Sequence, residues 1–153
     1  MNAFRWTGAG WELAFDGLRA EVAAGAGLDH IAALLAAAGR PVAAVDLVDA
    51  GADLATEYRA RLAELDRQGA GTADPLAAAL AGAERDLLHA ELATPEDDPT
   101  DRARRLVALR IRTALDHVDA ALPALAHHLR RHLRTGTFCL YEPERPERWK
   151  MRA

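Results

Sequence analysis

The chain has 153 residues, half of them hydrophobic and 27% charged, with a net charge of −4. That is one domain's worth of chain, able to bury a single core, and too apolar for a disordered segment. Cys139 is the lone cysteine, which excludes an intramolecular disulfide and a cysteine-based zinc site.

The charge is unevenly laid out. Residues 1–100 carry 7 basic and 17 acidic side chains (net −10), and residues 101–153 carry 12 and 6 (net +6). Within one small domain the two parts are expected to attract each other. Alanine and leucine dominate and aromatics are only 5%, which favours helix. The expected fold is therefore all-α: an up-and-down bundle of about five helices, three long and two short. Residues 1–136 form the bundle and 137–153 a C-terminal extension, a short strand or tail packed on it. No signal peptide or membrane-spanning run is readable, so a cytoplasmic location is expected.

After an irregular lead-in, Trp11, Phe15, Leu18 and Val22 recur at helical spacing and predict a helix over 11–24. Gly25 and Gly27 break it. A short helix follows over 29–38, stopped by Gly39, and Pro41 can open a long one over 41–67. Its apolar face holds Leu47, Val48, Leu54, Tyr58, Leu62 and Leu65; its opposite face is acidic. Asp74-Pro75 is an N-cap and N1 pair that opens a helix over 75–93. A turn is expected over 94–100. The last helix begins near Asp101, and its stripe from Val107 to Leu133 keeps phase across Pro123, predicting one long helix kinked there. Gly136 ends it. A short strand is expected over 137–141, beside residues 3–6, and the remainder reads as a tail.

Several polar residues break this pattern. Glu84 and Glu91 fall within the arc of Leu76, Leu80, Leu87, Leu88 and Leu92, where a carboxylate needs compensation. If 75–93 and the last helix are antiparallel neighbours, Glu84 faces Arg110 and Glu91 faces Arg104 or its neighbour as structural ion pairs. His30, His89 and His127 lie off the apolar faces. His128 and His132, one turn apart, have the i, i+4 spacing of a metal-binding pair, but no third ligand is marked by a motif. No metal or other cofactor is expected.

Arg110-x6-His117 resembles the arginine–histidine motif of HEPN-type helical ribonucleases, in which both residues act on the RNA backbone. The resemblance covers this spacing in a helical setting and implies Arg110 and His117 as catalytic residues. It supplies the enzyme alternative, beside a metal-dependent enzyme using His128 and His132. The preferred function is a non-catalytic interaction or regulatory protein, self-associating or a subunit of a larger assembly. Neither a membrane nor nucleic acid is an expected partner. In the antiparallel register the last helix overhangs its neighbours beyond residue 119. Leu122, Leu125, Leu129 and Leu133, with Phe138 and Tyr141, then form an uncovered stripe and the expected interface. The alternative is that the N-terminal segment folds over it.

Overall fold

The computed structural model describes residues 2–49, 51–71, 73–95 and 98–151. Within them the chain is mixed α and β, which overturns the expected all-α bundle. Three N-terminal strands, β1 (Asn2–Trp6), β2 (Gly10–Phe15) and β3 (Leu18–Ala23), form an antiparallel meander. The dipeptide Asp16-Gly17, both at positive φ (52° and 83°), makes the tight turn between β2 and β3. Two successive positive-φ residues match the right-handed twist of a hairpin, and a helix spanning them would be interrupted. Trp11 and Leu13 alternate inward, so the apolar residues of 11–24 serve a period of two instead of a helical stripe.

The helix α1 (Ala26–Ala36) follows. The expected helix over 41–67 is divided into β4 (Val42–Ala43), α2 (Ala44–Leu47) and α3 (Leu54–Gly71). The extended backbone at Val48 ends α2. Helix α4 (Pro75–Ala93) has the expected bounds, with the Asp74 carboxylate accepting from the Leu76 amide. The turn expected over 94–100 includes residues 96 and 97, which lie outside those described. Helix α5 (Pro99–Ala121) and helix α6 (Pro123–His132) replace the single kinked helix. Leu122 between them has φ −150° and ψ 77°. A residue before proline is driven out of the helical region by the proline Cδ, so the chain breaks there rather than bends.

Strands β5 (Leu133–Arg134) and β6 (Phe138–Tyr141) form a hairpin, and β6 pairs with β4 on its other edge. The strand expected over 137–141 thus exists, but lies beside β4 and β5 and not beside residues 3–6. Strand β7 (Trp149–Lys150), in the expected tail, pairs in parallel with β1.

Two apolar clusters result. The larger joins Phe4, Trp11 and Leu13 of the meander to Leu28, Ile31 and Leu34 of α1 and to the inner faces of α5 and α6. The smaller joins Leu54, Tyr58, Leu62 and Leu65 of α3 to Leu88 of α4 and to Leu106 and Leu109 of α5. At Gly27 α1 meets α5 so closely that a Cβ would fall inside the Arg110 carbonyl oxygen. This contact brings the start of α1 to the rim of the α3–α5 groove.

Candidate functional site

A cleft of about 380 Å³ opens between the start of α1, α3 and α5. Helix α3 presents Glu57, Arg61 and Glu64 to it, and α5 presents Arg110 and His117. Seven residues are two helical turns, so Glu57 and Glu64 share a face, as do Arg110 and His117. Glu57 meets Arg110 and Glu64 meets His117; the pairings advance together, so α3 and α5 run parallel. The Arg110 guanidinium binds both Glu57 carboxylate oxygens at 2.6 Å, a bidentate charge-assisted pair. The Glu57 hydrogen bond outweighs burial and raises the Arg110 pKa. His117 Nε2 lies 2.8 Å from Glu64 Oε1.

Between these pairs sits Arg61, almost wholly buried. Its Nε and Nη2 donate to the two oxygens of Glu84 at 2.7 and 3.0 Å; Nη2 also donates to Asp116, and Nη1 lies 3.2 Å from Glu64. Burial opposes its charge, but Glu84 and Asp116 outweigh that and raise its pKa. The structure therefore brings Arg110 and His117 to one cleft, and gives each a carboxylate from α3. His30, expected on a surface, is buried there with Nε2 3.2 Å from Arg110 Nη1. Desolvation first, then the Arg110 charge, lowers its pKa to about 4 and keeps the ring neutral.

The expected ion-pair partners change accordingly. Glu84 pairs with Arg61 of α3, not with Arg110. The Glu91 carboxylate accepts from the Tyr58 hydroxyl; Arg105, the neighbour of Arg104, does reach Glu91, but at its backbone carbonyl and not as an ion pair. Arg104 pairs with Asp101 one turn back on its own helix. The reason is the neighbour: α4 packs antiparallel against α3, so α3 supplies the compensating groups. Both glutamates do find partners away from bulk water, as their place on an apolar arc demanded.

The stripe expected as an interface is largely covered by the fold itself. Leu122, Leu125, Leu129 and Tyr141 are buried in the larger cluster, covered by the meander and α1, which leaves only Phe138 of that group prominently exposed. Leu133 is partly buried against the same cluster. His128 and His132 join an aromatic group beside it. His128 Nε2 is 2.7 Å from the Tyr141 hydroxyl, Phe15 and Trp149 stand at 5.0 and 6.2 Å from its ring, and His132 Nδ1 donates to the His128 carbonyl at 2.7 Å. Desolvation and the neighbouring His132 lower the His128 pKa. Among the described residues no three His, Cys, Asp or Glu side chains are grouped to hold a metal ion.

What sequence reasoning missed is the outer face of α4. Leu76, Leu80 and Leu87 are 67%, 63% and 46% exposed, and Ala83 and Ala90 complete a 4-3-4-3 stripe with them. The helix meets the protein through Ala81, Glu84, Leu88 and Leu92 instead. The 4-3 spacing is the signal that separates Leu76, Leu80 and Leu87 from Leu88 and Leu92 within the leucine arc.

Comparison with protein families, with curated proteins and with solved structures finds no match to this chain. No described helix is long and apolar enough to cross a membrane.

Proposed function

We propose that the chain is a non-catalytic interaction module whose docking element is the α3–α4 hairpin. The observation that supports this best is the leucine stripe on α4. Three leucines in heptad spacing lie on the solvent side of a helix whose opposite side is already packed. A stripe of this period fits another helix through knobs-into-holes packing, and an apolar face left in water is a cost that a partner removes. The cleft supports the same reading, because the charges of Arg110 and Arg61 are directed onto carboxylates of the fold itself.

The test compares wild type with Leu80→Asp, each tagged and cross-linked in extracts of the native cell. The variant keeps the wild-type melting temperature within about 2 °C, since an exposed leucine contributes little to the folded chain. It loses every cross-linked species that contains α4. Cross-links through α4 that survive the substitution refute the reading.

A second reading is favoured by the connectivity of the small sheet. The order α1, β4, α2, α5, α6 and the β5–β6 hairpin, with β4 beside β6, resembles that of winged helix-turn-helix domains enlarged by additional helices between β4 and β5, among them the α3–α4 hairpin. Arg130, Arg131, Arg134 and Phe138 are exposed on the end of α6 and on the hairpin. This rests on fold analogy and reopens nucleic acid as a partner. Duplex DNA titrated at 50 and 200 mM salt decides it. Binding that falls steeply with salt, and is lost in Arg131→Glu with Arg134→Glu, supports the reading; no binding at 50 mM refutes it.

A further inference from the structure

We infer that the outer face of the four-stranded sheet carries a binding site for a small dianion, of the chemical class of a phosphate monoester. The site is separate from the α4 stripe and does not depend on its role. Its basis is the register of the sheet. Lys150 of β7 pairs with Ala3 of β1, Ala3 with Ala14 of β2, and Ala14 with Arg19 of β3. Paired residues stand on the same side of a sheet, so one row across all four strands reads Lys–Ala–Ala–Arg. Phe4 and Leu13, next to the alanines along their strands, point the other way into the core. The row therefore lies on the outer face, with a cation at each end and two methyl groups between them.

A hollow of about 290 Å³ sits over this row, at the small end of the range that ligand sites occupy. It exists because Ala3 and Ala14 are short; a longer side chain at either would fill it. Charge supplies the independent observation. Arg5 donates to Glu12 at 2.7 Å, which engages the one carboxylate that lines the hollow. Arg19 and Lys150 are exposed and have no hydrogen bond or ion pair among the described residues. The Arg5 Nε is buried and also makes no hydrogen bond. Three cations thus surround one carboxylate. They are both arginines of the meander and the only lysine of the chain, which β7 brings from the far end of the sequence. The hydrogen bond from Arg5, then the charges of Arg5, Arg19 and Lys150, outweigh desolvation and hold the Glu12 carboxyl below its ordinary range. The positive potential of the two free cations therefore reaches the middle of the hollow.

The same geometry sets the size of the ligand. The ends of the row are three strand spacings apart, about 14 Å, and the flexible stems of Arg19 and Lys150 can lean inward onto one anion above the alanines. Two free cations call for a charge near −2, which a phosphate monoester carries at pH 7, and the arginine fork suits its oxygens. A polyanion fits poorly. Extended past Arg5, it would run onto Glu12 and Glu21, which are paired in the next row.

An NMR titration of the ¹⁵N-labelled full chain with glycerol 3-phosphate, at pH 7 and about 20 mM salt, tests the site. Saturable shifts are expected at the amides of Ala3, Ala14, Arg19 and Lys150. Arg19→Gln and Lys150→Gln should each weaken binding at least about threefold, and together at least about tenfold. Ala14→Leu, which fills the hollow and leaves every charge in place, should abolish the shifts. Arg40→Gln with Arg59→Gln removes two exposed arginines elsewhere and should leave the affinity unchanged. The glutamine variants alter only exposed ends of side chains, so they report even if Ala14→Leu misfolds. No saturation below about 50 mM ligand, or an equal loss in the Arg40 and Arg59 control, overturns the site. Succinate binding more tightly than glycerol 3-phosphate overturns the phosphate class, and an oligonucleotide shifting the same amides at lower concentration overturns the small ligand.

Discussion

Replacing Arg61 by methionine keeps the aliphatic stem packed and removes only the guanidinium. In the native chain that group sits among Glu84, Asp116 and Glu64, whose side chains retain 14%, 33% and 24% of their exposure. Without it, three carboxylates converge on a site that holds no cation in their midst. Full burial of the carboxylates would cost about 3–5 kcal/mol, the usual loss when one partner of a buried pair is removed. Their residual hydration lowers this, Arg130 still neutralises part of Asp116 and His117 stays hydrogen-bonded to Glu64, so about 2–4 kcal/mol is expected. For a chain of this length that corresponds to a melting temperature lower by roughly 4–16 °C. The sign with pH is specific. In the native chain burial works against the Glu64 carboxylate, but His117 and Arg61 outweigh it and hold its pKa below the ordinary value. Its stabilisation is therefore present above the unfolded-state pKa and is lost as pH falls through the lower folded one. In Arg61→Met the crowded carboxylates gain protons more readily, so acid relieves their repulsion. Urea denaturation followed by circular dichroism at pH 7 and pH 4 should show the gap between the two proteins narrowing at pH 4. A cost below about 0.5 kcal/mol, or a gap independent of pH, would refute the ion-network account.

Other consequences can be checked separately. His30, neutral with a pKa of about 4 against an ordinary 6.5, makes the unfolded chain the better proton binder between those values. Stability should thus fall as pH drops through that window, by on the order of 2–3 kcal/mol in total, and a ring-proton signal assigned to His30 by its loss in His30→Gln that titrates near 6.5 would contradict it. Gly27→Ala should destabilise by at least about 1–3 kcal/mol, because the added methyl collides with rigid backbone at Arg110 and lies 2.8 Å from the Ala114 Cβ; thermal melting measures it, and an unchanged midpoint would show that α1 does not pack on α5 as described. Burial raises the Cys139 thiol pKa, so a thiol reagent should label the chain in urea and leave the native protein unlabelled over the same interval.

The sequence by itself determined the helices whose ends carry local chemistry. Asp74-Pro75 set the start of α4 because capping acts within a few residues, whereas Gly27, read as a breaker, lies inside α1, where its missing side chain lets the helix close on α5. It also determined that Glu84 and Glu91 needed partners, since a carboxylate among leucines does so in any fold. Two local signals were present and outweighed: the Asp16-Gly17 turn lost to a coincidental 4-3-4 spacing of Trp11, Phe15, Leu18 and Val22, and the pre-proline position of Leu122 lost to an apolar stripe that continued in phase beyond it. The remainder belonged to the tertiary structure. Strand β7 pairs with a strand at the other end of the chain, and β4 with β6 across nearly a hundred residues. Nothing local in Val42–Ala43 or Trp149–Lys150 announces such a ladder. Which arginine neutralises Glu84 depended on whether α3 or α5 lies against α4, and helical periodicity gives a face without saying what stands opposite it. The same indifference made the leucines of α6 and of α4 look alike. The fold covers the first with the N-terminal sheet and leaves the second in water, because the meander can reach α6 whereas only one side of α4 fits against α3.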